Sequence, residues 1–244
     1  MSATQNTGLL VERQGGVLTV TLDNAADGNK MSGDMFDTML ETLRAEANYP
    51  LARVLHIRAT GKAFCTGRER GGRDAKSIRH EAARIIEVKR LLRTSPMISV
   101  AEVQGDALGF GFGMAILCDF AIVASHVTLG FPEMKMGLAP AAIMTYLGDY
   151  ALPRHAFGLV LFGDPVTPAD AVKIGLINEA VAADALSSQV GALIERILAL
   201  DETAARNCKQ FFQATLQASF DENCRVAIDT LTVGSLGVLA RANH

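Results

Sequence analysis

The most informative segment of this chain is QGDALGFGFGMAILCD, which runs from Gln104 to Asp119. It places four glycines between Gly105 and Gly113 and continues directly into an apolar run that predicts a helix. Glycine weakens regular structure because it loses more backbone entropy on folding than any other residue. A cluster of this kind therefore indicates either a tight turn that side chains would obstruct or a ligand that approaches the backbone closely.

Strand patterns alternate with helix patterns on both sides of this segment. β-branched and apolar residues predict strands at residues 17–22, 54–59, 97–103 and 120–124. Apolar residues at helical spacing predict helices that begin near Ser32 and near Ile78, and a third helix that ends near Cys118. This alternation predicts βαβ units, and hence an α/β core with parallel strands.

Beyond Pro140 the pattern becomes mostly helical. Thr167 and Pro168 predict a helix start, because threonine caps a helix well and proline suits its first position. Two further amphipathic helices are predicted over residues 184–199 and 201–218. The α/β core is therefore predicted to be followed by a helical C-terminal region.

The composition limits the class of protein and its surroundings. The chain has 244 residues, of which 49% are hydrophobic, and this is enough for one large core. Its net charge of -3 argues against a nucleic-acid partner, because surfaces that bind nucleic acid are usually basic. No apolar run reaches the roughly 18 residues of a membrane span, and the first residues lack the layout of a secretory signal. We therefore expect a cytoplasmic protein that binds neither nucleic acid nor membrane.

The cysteines and histidines give no indication of a metal site. Cys65, Cys118, Cys208 and Cys224 form no CxxC pair, and no histidine lies at metal-ligand spacing from them. Free, buried thiols in a reducing compartment are expected instead. His56 lies in an apolar run, which predicts a position in the core or on the surface of a sheet. No structural metal is expected.

Two glycine-rich loops, residues 61–72 and 105–113, each follow a strand pattern and precede a helix pattern. Dinucleotide binding fits them poorly, because GFGFG lacks the GxGxxG spacing and no acidic residue clearly ends a following strand. A P-loop fits poorly as well, because no Lys-Ser/Thr pair follows the last glycine. Unpaired N–H groups at a helix start fit better, since glycines would let an acyl group approach them as in an oxyanion hole. On spacing alone, tight turns and close helix packing are the better explanation of the glycines.

Four ordered motifs resemble those of the crotonase superfamily, whose members have the enoyl-CoA hydratase/isomerase fold. The motifs are AFCTG at 63–67, QGDALGFGFGMAILCDFAIV at 104–123, LGFPEMKMGLAP at 129–140 and DPVTPADAVKIGLINEAV at 164–181. The resemblance covers about residues 10 to 215 and implies a crotonase-like (ClpP/crotonase) α/β spiral of ββα units with two roughly perpendicular sheets. It implies an α/β core over residues 1–185 and a helical oligomerisation region over residues 186–244, which would form a homotrimer or a dimer of trimers.

The resemblance also implies a function and a set of site residues. The substrate would be an acyl-CoA thioester, with no cofactor beyond its coenzyme A. The backbone N–H groups of Arg68 and Phe110 would hold the thioester oxygen, and Glu133 would act as the catalytic acid/base. Phe110 stands where the family usually has glycine, so its ring must turn away from the ligand or shape the pocket. Substrate contacts are implied for Ala63, Phe64, Gly67, Gly109, Gly111, Gly113 and Tyr146.

Gly113 is a departure from the family pattern. Typical hydratases carry a second glutamate at this position. Adding water to a double bond needs one group to activate the water and another to deliver a proton. A single carboxylate therefore favours an isomerase-type proton shuttle over hydration. Two alternatives stay open, a non-catalytic protein that binds acyl-CoA and an interaction protein that uses the fold alone.

Overall fold

The structure is a computed structural model that describes residues 7–48, 50–216 and 218–242. The first six residues of the predicted core and the last two of the predicted C-terminal region lie outside the described residues. The strands are β1 (Leu9–Gln14), β2 (Val17–Leu22), β3 (Val54–Ala59), β4 (Ala63–Cys65), β5 (Ile98–Val103), β6 (Asp106–Leu108), β7 (Phe120–Ala124), β8 (Leu129–Gly130) and β9 (Glu179–Val181).

The strands divide between two sheets. The larger sheet has the order β1-β2-β3-β5-β7-β9, and all of its neighbouring strands are parallel except β1 and β2. The smaller sheet has the order β4-β6-β8 and is wholly parallel. Consecutive strands of the chain therefore alternate between the two sheets from β3 to β8.

Helices follow the strand pairs. They are α1 (Gly33–Asn48), α2 (Ala75–Thr94), α3 (Phe110–Leu117), α4 (Ala141–Met144), α5 (Pro153–Phe162), α6 (Pro168–Lys173), α7 (Leu186–Leu198), α8 (Glu202–Thr215) and α9 (Phe220–Ala242). The units β3-β4-α2 and β5-β6-α3 repeat one pattern, with one strand in each sheet and then a helix. This arrangement confirms the predicted α/β spiral of ββα units with a helical C-terminal region.

Strands that are buried on both faces were predicted well. β2, β3 and β7 have the predicted bounds, and β5 begins one residue later than predicted. Of these strands, β7 is a continuous apolar run, as expected for a strand covered on both sides, whereas β2, β3 and β5 each contain two polar residues. β1 was not predicted, because only its first residue is buried and its sequence LLVERQ does not alternate. The two- and three-residue strands of the smaller sheet are too short to show any period.

Helix α6 begins where the sequence predicts. The Thr167 hydroxyl oxygen accepts a hydrogen bond from the backbone N–H of Asp170 at 3.1 Å, and Pro168 is the first helical residue. The same hydroxyl donates to the Asp170 carboxylate at 2.8 Å. This helix start therefore satisfies one of its own unpaired N–H groups.

Thr167→Ala should lower the free energy of unfolding by about 1 kcal/mol, because it removes this cap. Thr167→Ser keeps the hydroxyl and should stay close to the parent protein. Urea unfolding of the three proteins measures the difference. Equal midpoints for the alanine and serine variants would show that the cap contributes nothing to stability.

Two helices of the C-terminal region pack on the larger sheet. Helix α7 buries Leu186, Val190 and Ile197 against it. In α8, Lys209 is only 7% exposed, and its ammonium donates to the Met97 carbonyl at 2.6 Å and to the Asp119 carboxylate at 2.7 Å. No helix within the described ranges is long and apolar enough to cross a membrane.

The burial of the cysteine and histidine side chains agrees only partly with the prediction from the sequence. His56 is buried as predicted, and its Nε2 lies 2.8 Å from a Glu102 carboxylate oxygen. Cys65 and Cys118 are free and buried, and burial raises the pKa of each thiol to about 12. The prediction of buried thiols is wrong for Cys208 and Cys224, which are exposed on the last two helices.

Candidate active site

Three predicted site residues lie just beyond the carboxyl ends of the three strands of the smaller sheet. Arg68 follows the end of β4 by three residues, Phe110 follows β6 by two, and Glu133 follows β8 by three. Because β4, β6 and β8 are parallel neighbours, these ends lie at one edge of the sheet. The topology therefore brings the three residues to the same edge.

Gly111 allows the start of α3 to press against β4. A Cβ atom added at Gly111 would lie 2.2 Å from the carbonyl oxygen of Cys65 and 2.5 Å from its Cβ. Such distances are far shorter than any van der Waals contact, so no other residue fits there without a shift of the backbone. The two glycine-rich loops are therefore in direct contact, and this explains one glycine of the cluster.

Gly111→Ala should lower the free energy of unfolding by about 2 kcal/mol, because the methyl group overpacks the contact with β4. Gly158→Ala is the matched control, since a Cβ at this helical position in α5 meets nothing within 4 Å. That variant should be as stable as the parent or slightly more so. Chemical denaturation of both variants measures the difference, and equal stability of the two would refute the close contact.

The backbone N–H of Arg68 is unpaired. Met31 bridges its two neighbours, with the Met31 N–H donating to the Gly67 carbonyl at 3.1 Å and the Glu69 N–H donating to the Met31 carbonyl at 3.0 Å. Because successive residues of an extended chain present their N–H groups to opposite sides, the Arg68 N–H points away from Met31. No described residue accepts a hydrogen bond from it.

The backbone N–H of Phe110 is unpaired as well. Phe110 is the first residue of α3, where an N–H has no acceptor within the helix. Gly109 precedes it with a φ of 52° and donates its own N–H to the Gly130 carbonyl at 2.9 Å. Among the described residues none accepts the Phe110 N–H. Both N–H groups predicted to form the oxyanion hole are therefore available.

The ring of Phe110 is buried and turned into the protein. It packs edge-on against Phe36, with the ring centroids 5.0 Å apart and the planes at 71°. A cavity of about 250 Å³ lies beside Arg68, and Phe36, but not Phe110, is among its lining residues. On the charged side of this cavity, Arg68 faces Glu81 across 3.5 Å. The ring of Phe110 therefore packs against Phe36 within the protein and does not line this cavity.

Glu133 lies against the start of α3. It follows Pro132 in the short 3-10 helix Pro132–Met136. A Cβ at Gly109 would lie 2.9 Å from its Oε1, so this glycine provides both the positive φ and the space for the carboxylate. The other oxygen, Oε2, is buried and has no hydrogen-bond partner among the described residues. A buried carboxylate oxygen without a donor is costly, and such a group indicates a functional site.

Lys89 and Tyr146 occupy the space in front of Gly113. A Cβ at Gly113 would lie 2.7 Å from the Tyr146 hydroxyl oxygen and 2.8 Å from the Lys89 Nζ. The Lys89 ammonium donates to the Tyr146 hydroxyl at 2.6 Å, and that hydroxyl donates to the Gly113 carbonyl at 2.8 Å. An amine and a hydroxyl therefore stand where a side chain at position 113 would begin.

Burial controls the charge of this pair. Burial lowers the pKa of Lys89 to about 7, and the negative charge of Glu133 opposes this shift. Burial also raises the pKa of Tyr146 well above its usual value, so its hydroxyl stays protonated. The Lys89 Nζ lies 4.6 Å from the Tyr146 ring centroid and 5.6 Å from that of Phe110. At neutral pH, Lys89 is therefore poised between ammonium and amine.

Lys89 was not among the site residues predicted from the sequence. The available signal was its position in α2, where it shares the buried stripe with Ile85, Val88 and Leu92. Of the predicted substrate contacts, Phe64 is wholly buried in the core and Tyr146 is buried beside Lys89. Ala63 and Gly67 are half-buried.

Comparisons with known proteins agree with this geometry. The family model of enoyl-CoA hydratase/isomerase matches residues 12–232. Crotonyl-CoA hydratase of Syntrophomonas wolfei is 26% identical over 91% of this chain and 87% of its own. Pseudomonas aeruginosa AtuE is 27% identical, with a TM-score of 0.90 over 96% of each chain. A Thermobifida fusca structure assigned as an enoyl-CoA hydratase and solved with CoA is 25% identical, with a TM-score of 0.87 over 96% of this chain and 95% of that one.

The family model covers nearly all of the residues that form the two sheets, the site edge and the C-terminal helices. The solved relatives share the spiral over almost their whole lengths. The chain belongs to the enoyl-CoA hydratase/isomerase family of the crotonase superfamily.

Proposed function

We propose that this protein converts an acyl-CoA thioester through an enolate, with Glu133 as the acid/base. The thioester oxygen would lie between the N–H groups of Arg68 and Phe110. One observation carries the proposal. Just beyond the ends of two neighbouring strands lie two backbone N–H groups without an acceptor among the described residues, beside a carboxylate whose buried oxygen has no donor among them.

The chemistry follows from this arrangement. Removing a proton next to a thioester leaves negative charge on the thioester oxygen. Backbone N–H groups that are already oriented stabilise this charge without reorganisation, and one such donor contributes on the order of 10²–10³ in rate. Glu133 would take the proton and return it to another carbon, because no described partner holds its Oε2. Isomerisation requires only the two N–H donors and this one carboxylate.

The relatives support the class of substrate. The Syntrophomonas protein is named for crotonyl-CoA, and the Thermobifida structure contains CoA. By this analogy the ligand of the present chain is an acyl-CoA that needs no further cofactor. The acyl group would enter near the cavity that Phe36, Ile85 and Arg68 line.

Mass spectrometry of saturated, 2-enoyl and 3-enoyl-CoAs incubated with the protein in heavy water tests this proposal. We expect deuterium at the α- or γ-carbon of at least one of them, with migration of the double bond. An unchanged panel with bound acyl-CoA would favour a non-catalytic binder, which is the alternative that Gly113 suggests. An unchanged panel without CoA binding would favour an interaction protein.

We also propose that the chain assembles as a homotrimer or a dimer of trimers in the cytoplasm. The support is an apolar surface on α9, formed by the exposed residues Phe220, Val226, Ile228, Leu231, Val233, Leu236, Val238 and Leu239. So many exposed apolar side chains on one helix are unusual for a monomer. Light scattering on the purified protein measures the assembly, and a monomer at micromolar concentration would contradict it.

A further inference from the structure

We propose that Lys89 is a second proton-transfer residue of this site, and that with Glu133 it allows the enzyme to add water to a 2-enoyl-CoA. The proposal rests on the proposed acyl-CoA function. Lys89 stands in the space that Gly113 leaves open, where the side chain of a second acid/base would begin.

Glu133 and Lys89 approach the same face of α3. Gly109 and Gly113 are four residues apart, and the Gly113 N–H donates to the Gly109 carbonyl at 3.0 Å. Residues at this spacing lie on one side of a helix. The carboxylate lies over the first glycine and the amine over the second. A substrate held by the Phe110 N–H at the start of this helix would have both groups beside it.

A second buried lysine, Lys209, provides a comparison for Lys89. Lys89 is 6% exposed and Lys209 is 7% exposed. Lys209 has a carboxylate, Asp119, at 2.7 Å. For Lys89, the only hydrogen-bond partner among the described residues is the neutral Tyr146 hydroxyl. Burying a lysine without a carboxylate in contact lowers the stability of the fold. The presence of Lys89 beside the proposed site therefore indicates a role in the reaction.

The groups that face Lys89 allow it to change protonation state near neutral pH. Among the described residues, Glu133 acts electrostatically on Lys89, and Tyr146 beside it is influenced by Tyr150, Cys118 and Glu133; the sequence of α3, FGFGMAIL, contributes no titratable side chain. The lowered pKa of Lys89, about 7, is suited to an acid/base. The Tyr146 hydroxyl holds the amine in place, so Tyr146 is a positioning residue.

Lys89 and Glu133 together account for every proton moved when water adds to the double bond. The Glu133 carboxylate removes a proton from water as the water oxygen bonds to the β-carbon. The electron pair of the double bond moves toward the thioester oxygen, held by the N–H groups of Arg68 and Phe110. The Lys89 ammonium then delivers its proton to the α-carbon. Transfer of the proton from Glu133 to the Lys89 amine restores the starting state. The product is a 3-hydroxyacyl-CoA, and H₂O is the only other reactant.

Three variants test the proposal with crotonyl-CoA as the hydration substrate and a 3-enoyl-CoA as the isomerisation substrate. Lys89→Met should lower the hydration kcat by on the order of 10²–10³, with much less effect on isomerisation. Lys89→Arg should fail equally, because guanidinium stays protonated. Lys89→Ala should regain hydration when ethylamine, but not ethanol, is added. In the parent protein, the hydration rate should fall as the pH rises through about 7, because Lys89 then loses the proton that it must deliver.

Lys173→Met is the matched control, since this lysine lies exposed on α6 and pairs only with Asp170. It should keep both activities. Circular dichroism establishes that each variant is folded. Hydration that survives in Lys89→Met, or a parent that isomerises without ever adding water, would overturn the role of Lys89 alone. A parent with neither proton exchange nor water addition on any acyl-CoA would overturn the proposed function itself.

Discussion

Glu133→Gln should lower kcat on the preferred acyl-CoA by about 10²–10⁴-fold, the usual contribution of a positioned acid/base. The amide has nearly the shape of the carboxylate, so the contact with Gly109 should persist. It cannot take up a proton at neutral pH. KM should change little, because the proposed thioester contacts are backbone N–H groups. Steady-state kinetics and deuterium exchange measure both quantities.

The carboxylate of Glu69, which follows Arg68 in the chain, provides the control for this prediction. Glu69 lies exposed on the loop that carries Arg68, and it also lines the adjacent cavity. Glu69→Gln should leave kcat within a fewfold of the parent value. The reverse outcome, with full activity in Glu133→Gln and a large loss in Glu69→Gln, would transfer the acid/base role to Glu69.

The stability of the parent protein should increase with pH more steeply than that of Lys89→Met. The folded state lowers the pKa of Lys89 from 10.5 to about 7. Between these values the unfolded chain binds the proton and the folded chain does not, so a rise in pH favours folding. The full gain in the free energy of unfolding is about 5 kcal/mol, and none of it is present below pH 7. The methionine variant lacks this contribution.

Urea unfolding between pH 6 and 8.5 measures the effect. The upper limit stays below the ordinary pKa of the thiols of Cys65 and Cys118, which would otherwise ionise in the unfolded chain. Within this range the parent should gain about 2 kcal/mol relative to Lys89→Met. Parallel stability profiles would mean that water or a rearrangement solvates the ammonium, and that its pKa is close to that of an ordinary lysine.

Much of the fold and the outline of the site could be predicted because they depend on local sequence. The central strands of the larger sheet are rich in buried apolar residues, and the Thr167 cap is a local signal. The motifs that contain Arg68, Phe110 and Glu133 each follow a strand directly. The position of such residues depends on the order of the strands, and the family resemblance implies that order.

The remaining features depend on contacts between distant parts of the chain. The partners of Gly111 and Gly113 are Cys65, Lys89 and Tyr146, and no local pattern couples these positions. The exposure of Cys208 depends likewise on which face of α8 packs on the sheet, since its neighbour Lys209 is the buried residue of that helix. Gly113 was interpreted as the loss of a catalytic group, because the sequence does not show that α2 delivers a lysine to the same place.

The crowding around Gly113 also limits how this protein can evolve. A glutamate introduced there would enter space already held by Lys89 and Tyr146. Reaching a site with two carboxylates therefore requires changes at several positions, and the first change alone is harmful. Gly113→Glu and Lys89→Ala should consequently show strong epistasis, with the double variant more stable than the sum of the single effects implies. Single substitutions therefore do not convert the present pair of amine and carboxylate into a site with two glutamates, because the first variant on that path is harmful.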